Sequence, residues 1–273
     1  MRDVNETVLN PRMTHGAVPA IAPFWPMLVA QAKSEFLMLA RVPAFTIPTI
    51  IFPIMFFALF GLPHVNEQFE NSTVGQFMLA SFGAYAVISV ALFSFGVTVA
   101  AERARKTTAL MRSTPLRPLA YLGGKTLATL AFALVTLVAL FAFGAGVGGV
   151  RLETGQWLTL FGVLLIGVFP FIALGFAVGY LAGGNSAVAI LNLINLPMAF
   201  GSGLFMPLPM LPLAVQQIAP YLPAYHYGQL AWSAVGAGSE PRFTAIMWLA
   251  GYGIAFLLLA LRAYGREQVK EFG

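Results

Sequence analysis

The chain has no cysteine and very little charge: of its 273 residues only 9% are Asp, Glu, Lys or Arg, while 59% are hydrophobic. Without cysteine there is no disulfide, no thiolate metal site and no cysteine nucleophile, and the redox compartment leaves no mark on the sequence. The shortage of charge excludes an ordinary soluble domain, in which about a quarter of the residues are charged. Six runs lack any charged residue: 44–62, 77–100, 126–147, 157–181, 187–205 and 243–261. Each is about 19 to 25 residues long, enough to cross a bilayer at about 1.5 Å per residue. The expected fold class is therefore all-α integral membrane with six transmembrane helices, which puts both termini on one side.

The charges that exist are unevenly placed. Thirteen of the fifteen basic residues fall before the first run, between the second and third, or after the last, and only Arg151 and Arg242 fall in the opposite connections. Basic residues are retained in the cytoplasm, so both termini are expected there, in a bacterial inner membrane. The formal charge of +5 is thereby explained by topology and not by nucleic-acid binding, which needs a basic patch on a folded surface. Sliding the second run onward would bury Arg103, Arg105 and Lys106 in hydrocarbon at about 3 kcal/mol each, so it ends near Ala101.

Residues 1–23 are polar, with Pro11, Pro19 and Pro23 and no apolar stretch, and read as a cytoplasmic tail and not a secretory signal. Residues 24–264 form one membrane domain and 265–273 a second cytoplasmic tail. Within the first of these, Trp25, Leu28, Ala32, Phe36 and Leu39 recur at helical spacing opposite Gln31, Ser34 and Arg41, predicting an amphipathic interfacial helix over 24–41. A cytosolic helix packed on a partner fits the same pattern.

Catalytic chemistry is also missing. Gly124-Lys125-Thr126 resembles the end of a phosphate-binding loop, but Leu119 stands where that loop needs glycine and no strand precedes it. His15, His64 and His226 lie in separate segments without metal-ligand spacing, and the acidic residues are scattered, with no carboxylate pair at membrane depth for ion relay. No cofactor, metal or catalytic site is expected on this chain. A membrane-embedded enzyme would need such groups, and an ion-coupled carrier would need intramembrane charge.

Small and neutral polar residues carry the remaining signals. Gly175, Gly179 and Gly183 recur every four residues and make a smooth face for close helix packing, within the chain or between subunits. Asn192 and Asn195 are three apart and avoid lipid, lining a path or bonding a neighbouring helix, with Ser202 beyond them. Pro48, Pro53, Pro170 and Pro197 each free a backbone carbonyl and favour a kink. The stretch 206–241 is rich in proline yet too apolar for a solvated loop. Helices over 213–219 and 224–235 would make it a re-entrant segment before the last span, serving as an outer gate or as a lid on the membrane surface.

Two stretches carry a family resemblance. One is Glu102-Arg103, Thr107, Leu110, Ser113-Thr114-Pro115-Leu116, Tyr121 and Gly124-Lys125; the other is Gly201 to Pro207 with Leu211-Pro212 and Ile218 to Pro223. With six runs and an amphipathic entry helix, these resemble the permease subunit of type 2 ABC exporters. Lys106, where that family more often has glycine, and Thr108-Ala109 depart from the pattern.

The resemblance implies an ATP-driven exporter built from two permeases, identical or homologous, and two copies of a separate ATPase subunit that holds ATP and Mg. It places the ATPase-coupling loop at Glu102, Arg103, Arg105, Lys106, Thr107, Leu110 and Arg112. It also implies a path between permeases near Asn192, Asn195 and Ser202, closed outside by a gate holding Pro207, Pro212, Pro220 and Pro223. A mostly apolar path suits a hydrophobic or amphipathic substrate, whether drug-like, lipid or lipid-linked. The alternatives are a scaffold that moves nothing, or a secondary transporter.

Overall fold

The computed structural model describes residues 23–105, 117–184 and 186–272. Its helices are α1 (Phe24–Ala40), α2 (Pro43–Phe56), α3 (Val74–Ala104), α4 (Pro118–Gly146), α5 (Thr154–Ile166), α6 (Phe169–Leu181), α7 (Ala187–Gly201), α8 (Leu213–Ile218), α9 (Pro223–Ala234) and α10 (Arg242–Phe272). Five helical stretches are long and apolar enough to cross a membrane: 43–64, 74–104, 118–146, 154–181 and 242–266. The protein is an all-α membrane protein apart from a minimal hairpin, β1 (Gln68–Phe69) with β2 (Ser72–Thr73), in the first connection.

The fifth expected run, 187–205, forms α7, which has 15 residues. At about 1.5 Å per residue this reaches only about 22 Å, short of a hydrocarbon core of about 30 Å. The helix ends at Gly201, and Gly203 then takes φ +82°, a turn conformation in which any other residue is strained. The run to Phe205 is thus helix followed by turn. Other boundaries move outward: α3 runs from Val74 to Ala104, past Glu102 and Arg103, and α4 starts at Pro118, before Lys125. A helix does not stop where its charge starts, because polar residues extend it beyond the apolar zone.

Local chemistry explains the element ends. Thr73 and Gln76 form a reciprocal cap at the start of α3, at 3.3 and 3.0 Å, and Gln76 also reaches the Arg151 carbonyl at 2.7 Å. Pro43 and Pro118 occupy first-turn positions, where a missing N–H costs nothing. Pro48 and Pro53 lie inside α2, and the chain after Pro53 loosens into a π turn over Phe57–Gly61. The break between α5 and α6 falls at Gly167. A side chain there would collide with the Tyr227 ring at 2.5 Å, and the Tyr227 hydroxyl donates to the Leu164 carbonyl at 2.5 Å.

α3 is the central post, packed by α2, α4, α6, α7 and α9. In its most apolar stretch 78% of residues are buried, against 17% in both the first and the last membrane helix. Its contact with α6 is made by glycine. A β-carbon on Gly175 would lie 3.0 Å from the Ala91 carbonyl oxygen, and one on Gly179 2.9 Å from Val99. Gly183 faces only Ser186, at 3.4 Å, and Gly184 takes the next close contact with α3, 2.7 Å from Ala104. The glycine stripe therefore packs within the chain at Gly175 and Gly179 and leaves the helix at Gly183, which lies past Leu181 where α6 ends.

Candidate functional site

Between α2, α3 and α7 runs a side-facing groove of about 550 Å³. Pro48, Phe52 and Phe56 line it from α2, Tyr85, Ser89 and Phe93 from α3, and Asn192 and Leu196 from α7. No Asp, Glu, Lys, Arg or His lines it. An uncharged wall with a few hydroxyl and amide groups accepts apolar surface and offers weak orienting hydrogen bonds.

The two asparagines separate here. Asn192 is exposed to the groove, its amide donating to the Val188 carbonyl at 3.1 Å. Asn195 is buried and donates to Ser89 Oγ on α3 at 2.9 Å. Asn195 Oδ1 and the hydroxyl of buried Ser202 have no partner among the described residues.

At one end of the bundle, where α3 ends and α4 begins, lies an ionic cluster. Lys125 is 2% exposed and its ammonium group donates to Glu35 at 2.9 Å, to Glu102 at 2.9 Å and to Thr98 at 3.1 Å. Three protons meet three acceptors, as a buried ammonium requires. Glu35 also accepts from Gln31 at 2.9 Å, and Glu102 from the Tyr121 hydroxyl. The acidic residues are not all scattered: Glu35 and Glu102, 67 positions apart, share one lysine because α1 lies on α4. Gly124 permits this approach, since a β-carbon there would sit 2.6 Å from Gln31 and 3.0 Å from the Ala32 nitrogen. Gly124-Lys125 thus serves packing and ion pairing.

Glu35 left a trace in the sequence. It falls on the buried stripe of α1 with Leu28 and Leu39, so a charge interrupts an apolar face. Trp25, assigned to that face from its spacing, is instead 71% exposed.

Two described residues of the expected coupling loop, Glu102 and Arg103, point inward. Glu102 holds Lys125, and Arg103 donates to the Gly179 and Ala182 carbonyls at 2.9 and 3.2 Å, lying against the Tyr180 ring. A cation there complements the negative end of the α6 dipole. Glu102 and Arg103 are thus engaged by partners within the chain. Arg105 is exposed, while Lys106, Thr107, Leu110 and Arg112 lie outside the described residues.

At the opposite end, the proline-rich stretch folds as α8, a 3₁₀ turn over Ala219–Tyr221, and α9. Pro207 and Pro223 are buried, and Pro212 and Pro220 are exposed. α9 docks on α3 through Trp232, which donates to Ser81 at 2.7 Å and stacks on Phe77. His226, 1% exposed, lies 2.9 Å from both Glu240 and the Pro220 carbonyl and stacks on Trp248. The His226 cluster had no signal in the sequence beyond a histidine in an apolar segment.

The described residues thus form a helical membrane bundle with an uncharged groove between α2, α3 and α7. The chain belongs to the ABC-2 transporter family: the model of the ABC-2 family transporter protein matches residues 31–262. It is a transmembrane transport permease of that family. It is similar to the "Putative transport permease YvfS" of Bacillus subtilis (strain 168), 28% identical over 235 residues that cover 86% of this chain and 95% of the relative. Permeases of this family generally work with an ABC ATPase.

Proposed function

We propose that this chain is the membrane-spanning subunit of an ATP-driven exporter, paired with a second permease copy or a homologous permease and served by two ATPase subunits that bind ATP and Mg. The observation that carries the reading is the groove between α2, α3 and α7, uncharged along its whole lining. Cargo is hydrophobic or amphipathic, drug-like, lipid or lipid-linked, because a charged group would enter this wall without a partner. Asn192 is a polar contact in the groove, and the buried Asn195–Ser89 bond holds α7 and α3 in register. Family membership supports the division of labour with a separate ATPase.

The end holding Arg103, Arg105, Arg117 and Lys125 faces the cytoplasm of a bacterial inner membrane, with both termini on that side. The segment 206–241 closes the path outside, and α7, short for a full span, completes a sixth crossing together with the turn that follows it. The loop after α3 seats on the ATPase, with Arg105 and the residues beyond it as contacts, while Glu102 and Arg103 anchor its base.

Gentle purification from the native host tests the assembly. A stoichiometric P-loop ATPase is expected to accompany the chain, and its absence even after crosslinking in intact membranes overturns the proposal. The groove is tested by Asn192→Trp, which narrows it. Efflux of a neutral lipophilic dye such as Nile red should fall several-fold with membrane insertion intact, and unchanged efflux of a dye the wild type exports removes the groove from the path.

A further inference from the structure

The ionic cluster and the groove share α3, and α1 of the cluster continues directly into α2 of the groove. Thr98 and Glu102 on α3 hold Lys125, and Val97, next to Thr98, lines the groove. On the other wall Glu35 belongs to α1, and α1 turns directly into α2 through a corner in which Thr46 donates to the Leu39 carbonyl at 2.9 Å. Val42, Ala44 and Phe45, at and just after this corner, line the same end of the groove. Lys125 itself belongs to α4 and lines nothing in the groove.

From this geometry we infer that Lys125 is a positioning residue that sets the width of the groove mouth at its basic end, by tying the α1–α2 corner through Glu35 to the α3 wall through Glu102 and Thr98. The inference deepens the proposed path and rests on that groove being the path. The two walls cannot part at this end without stretching a bond to one ammonium group whose three protons are all engaged. The far end of the groove, near Phe52, Phe56 and Leu196, has no ion pair among the described residues, and there α2 meets α3 by apolar contact, with Phe56 against Phe82, Tyr85 and Phe205. Glu102 is three residues from Arg105, the last described residue of the coupling loop. Motion of that loop therefore reaches the mouth through the same carboxylate, while Tyr121 limits how far Glu102 can turn.

The absence of cysteine makes the idea directly measurable. Spin labels on Ala44→Cys and Val188→Cys straddle the mouth, and labels on Phe52→Cys and Leu196→Cys straddle the far end. Each pair is measured by electron paramagnetic resonance in the full chain in lipid nanodiscs, diluted with unlabelled copies to suppress distances between subunits. Lys125→Met should lengthen the mouth distance by about 2 Å or more, the scale of helix shifts in switching proteins, and leave the far pair in place.

Because Lys125→Met strands two carboxylates, the triple variant Glu35→Gln/Lys125→Met/Glu102→Gln is measured beside it. This variant has no buried charge, and the same opening of the mouth is expected. An unchanged mouth in the folded triple variant overturns the inference, as does equal lengthening of both pairs, which is general loosening. A triple variant that no longer inserts and folds makes the cluster a folding element and overturns it too. None of these readouts requires an ATPase or a cargo, so the inference can fail while the exporter reading stands, and the reverse.

Discussion

Two buried polar clusters among the described residues, one at each end of the bundle, are built on opposite plans. Around Lys125, on α4, the partners come from two other helices, α1 and α3, with Glu35 and Lys125 separated by 90 positions. Around His226 they come from within 14 positions, at Pro220 and Glu240, with Trp248 stacked above. The first ties distant helices to one another, while the second shapes a single segment that is then fastened to α3 by Trp232 and Ser81. The difference teaches where a charge is worth burying in a membrane protein. Long-range ion pairs set helix positions, and local ones hold irregular backbone that has no helix to satisfy it.

This contrast can be broken most sharply at Lys125. Lys125→Met leaves Glu35 and Glu102 buried without their cation and should cost about 3–5 kcal/mol, the usual penalty for removing one partner of a buried ion pair. It is read as a large drop in thermal stability and in monodisperse protein after detergent extraction. Stability equal to wild type would show that water reaches the cluster freely.

Tyr227→Phe is the next largest. It leaves the Leu164 carbonyl at the α5–α6 break without its donor, at about 1–3 kcal/mol. The same thermal assay checks it, with the loss expected to be smaller than for Lys125→Met. His226→Phe keeps an aromatic ring against Trp248 but loses both hydrogen bonds. Glu240 is partly exposed and can turn to water, so the global cost should be about 1 kcal/mol. The change should instead be local, with faster proteolytic cleavage or hydrogen exchange confined to residues 206–241.

The smallest effect sharpens the comparison from the other side. His64 and Glu67 also pair, at 2.7 Å, but are 57% and 64% exposed. Glu67→Gln should change stability by less than about 0.5 kcal/mol in the same assay, because water already satisfies both groups.

How much of this was legible beforehand can be judged from particular residues. Hydrophobic runs located α2, α3, α4, the α5–α6 span and α10, because the apolar length of a bilayer is imposed on the chain locally. The glycine spacing signalled a smooth face, and Gly175 and Gly179 meet α3. Pro170 signalled a kink, but the break falls at Gly167, where Tyr227 from a distant segment is wedged. Glu102 and Arg103 carried a visible charge pattern but not a direction. Whether a charge at a helix end turns to solvent or inward depends on what the fold sets beside it: Lys125 in one case, the end of α6 in the other.

The sequence by itself determined that this is a membrane-embedded helical protein without cysteine chemistry, with its basic residues gathered at one end. Those properties depend on composition and on the local run of apolar residues, which any stretch of chain carries with it. Only the tertiary structure decided that Glu35, Lys125 and Glu102 meet, that Asn192 faces a groove while Asn195 is buried beside it, and that α3 rather than a peripheral helix is the post around which the rest packs. The physical reason is that each of these depends on which helix faces lie against one another. That choice is made by close-packed contacts between residues tens of positions apart, such as Gly124 under α1 and Gly179 on α3, and no local pattern encodes it.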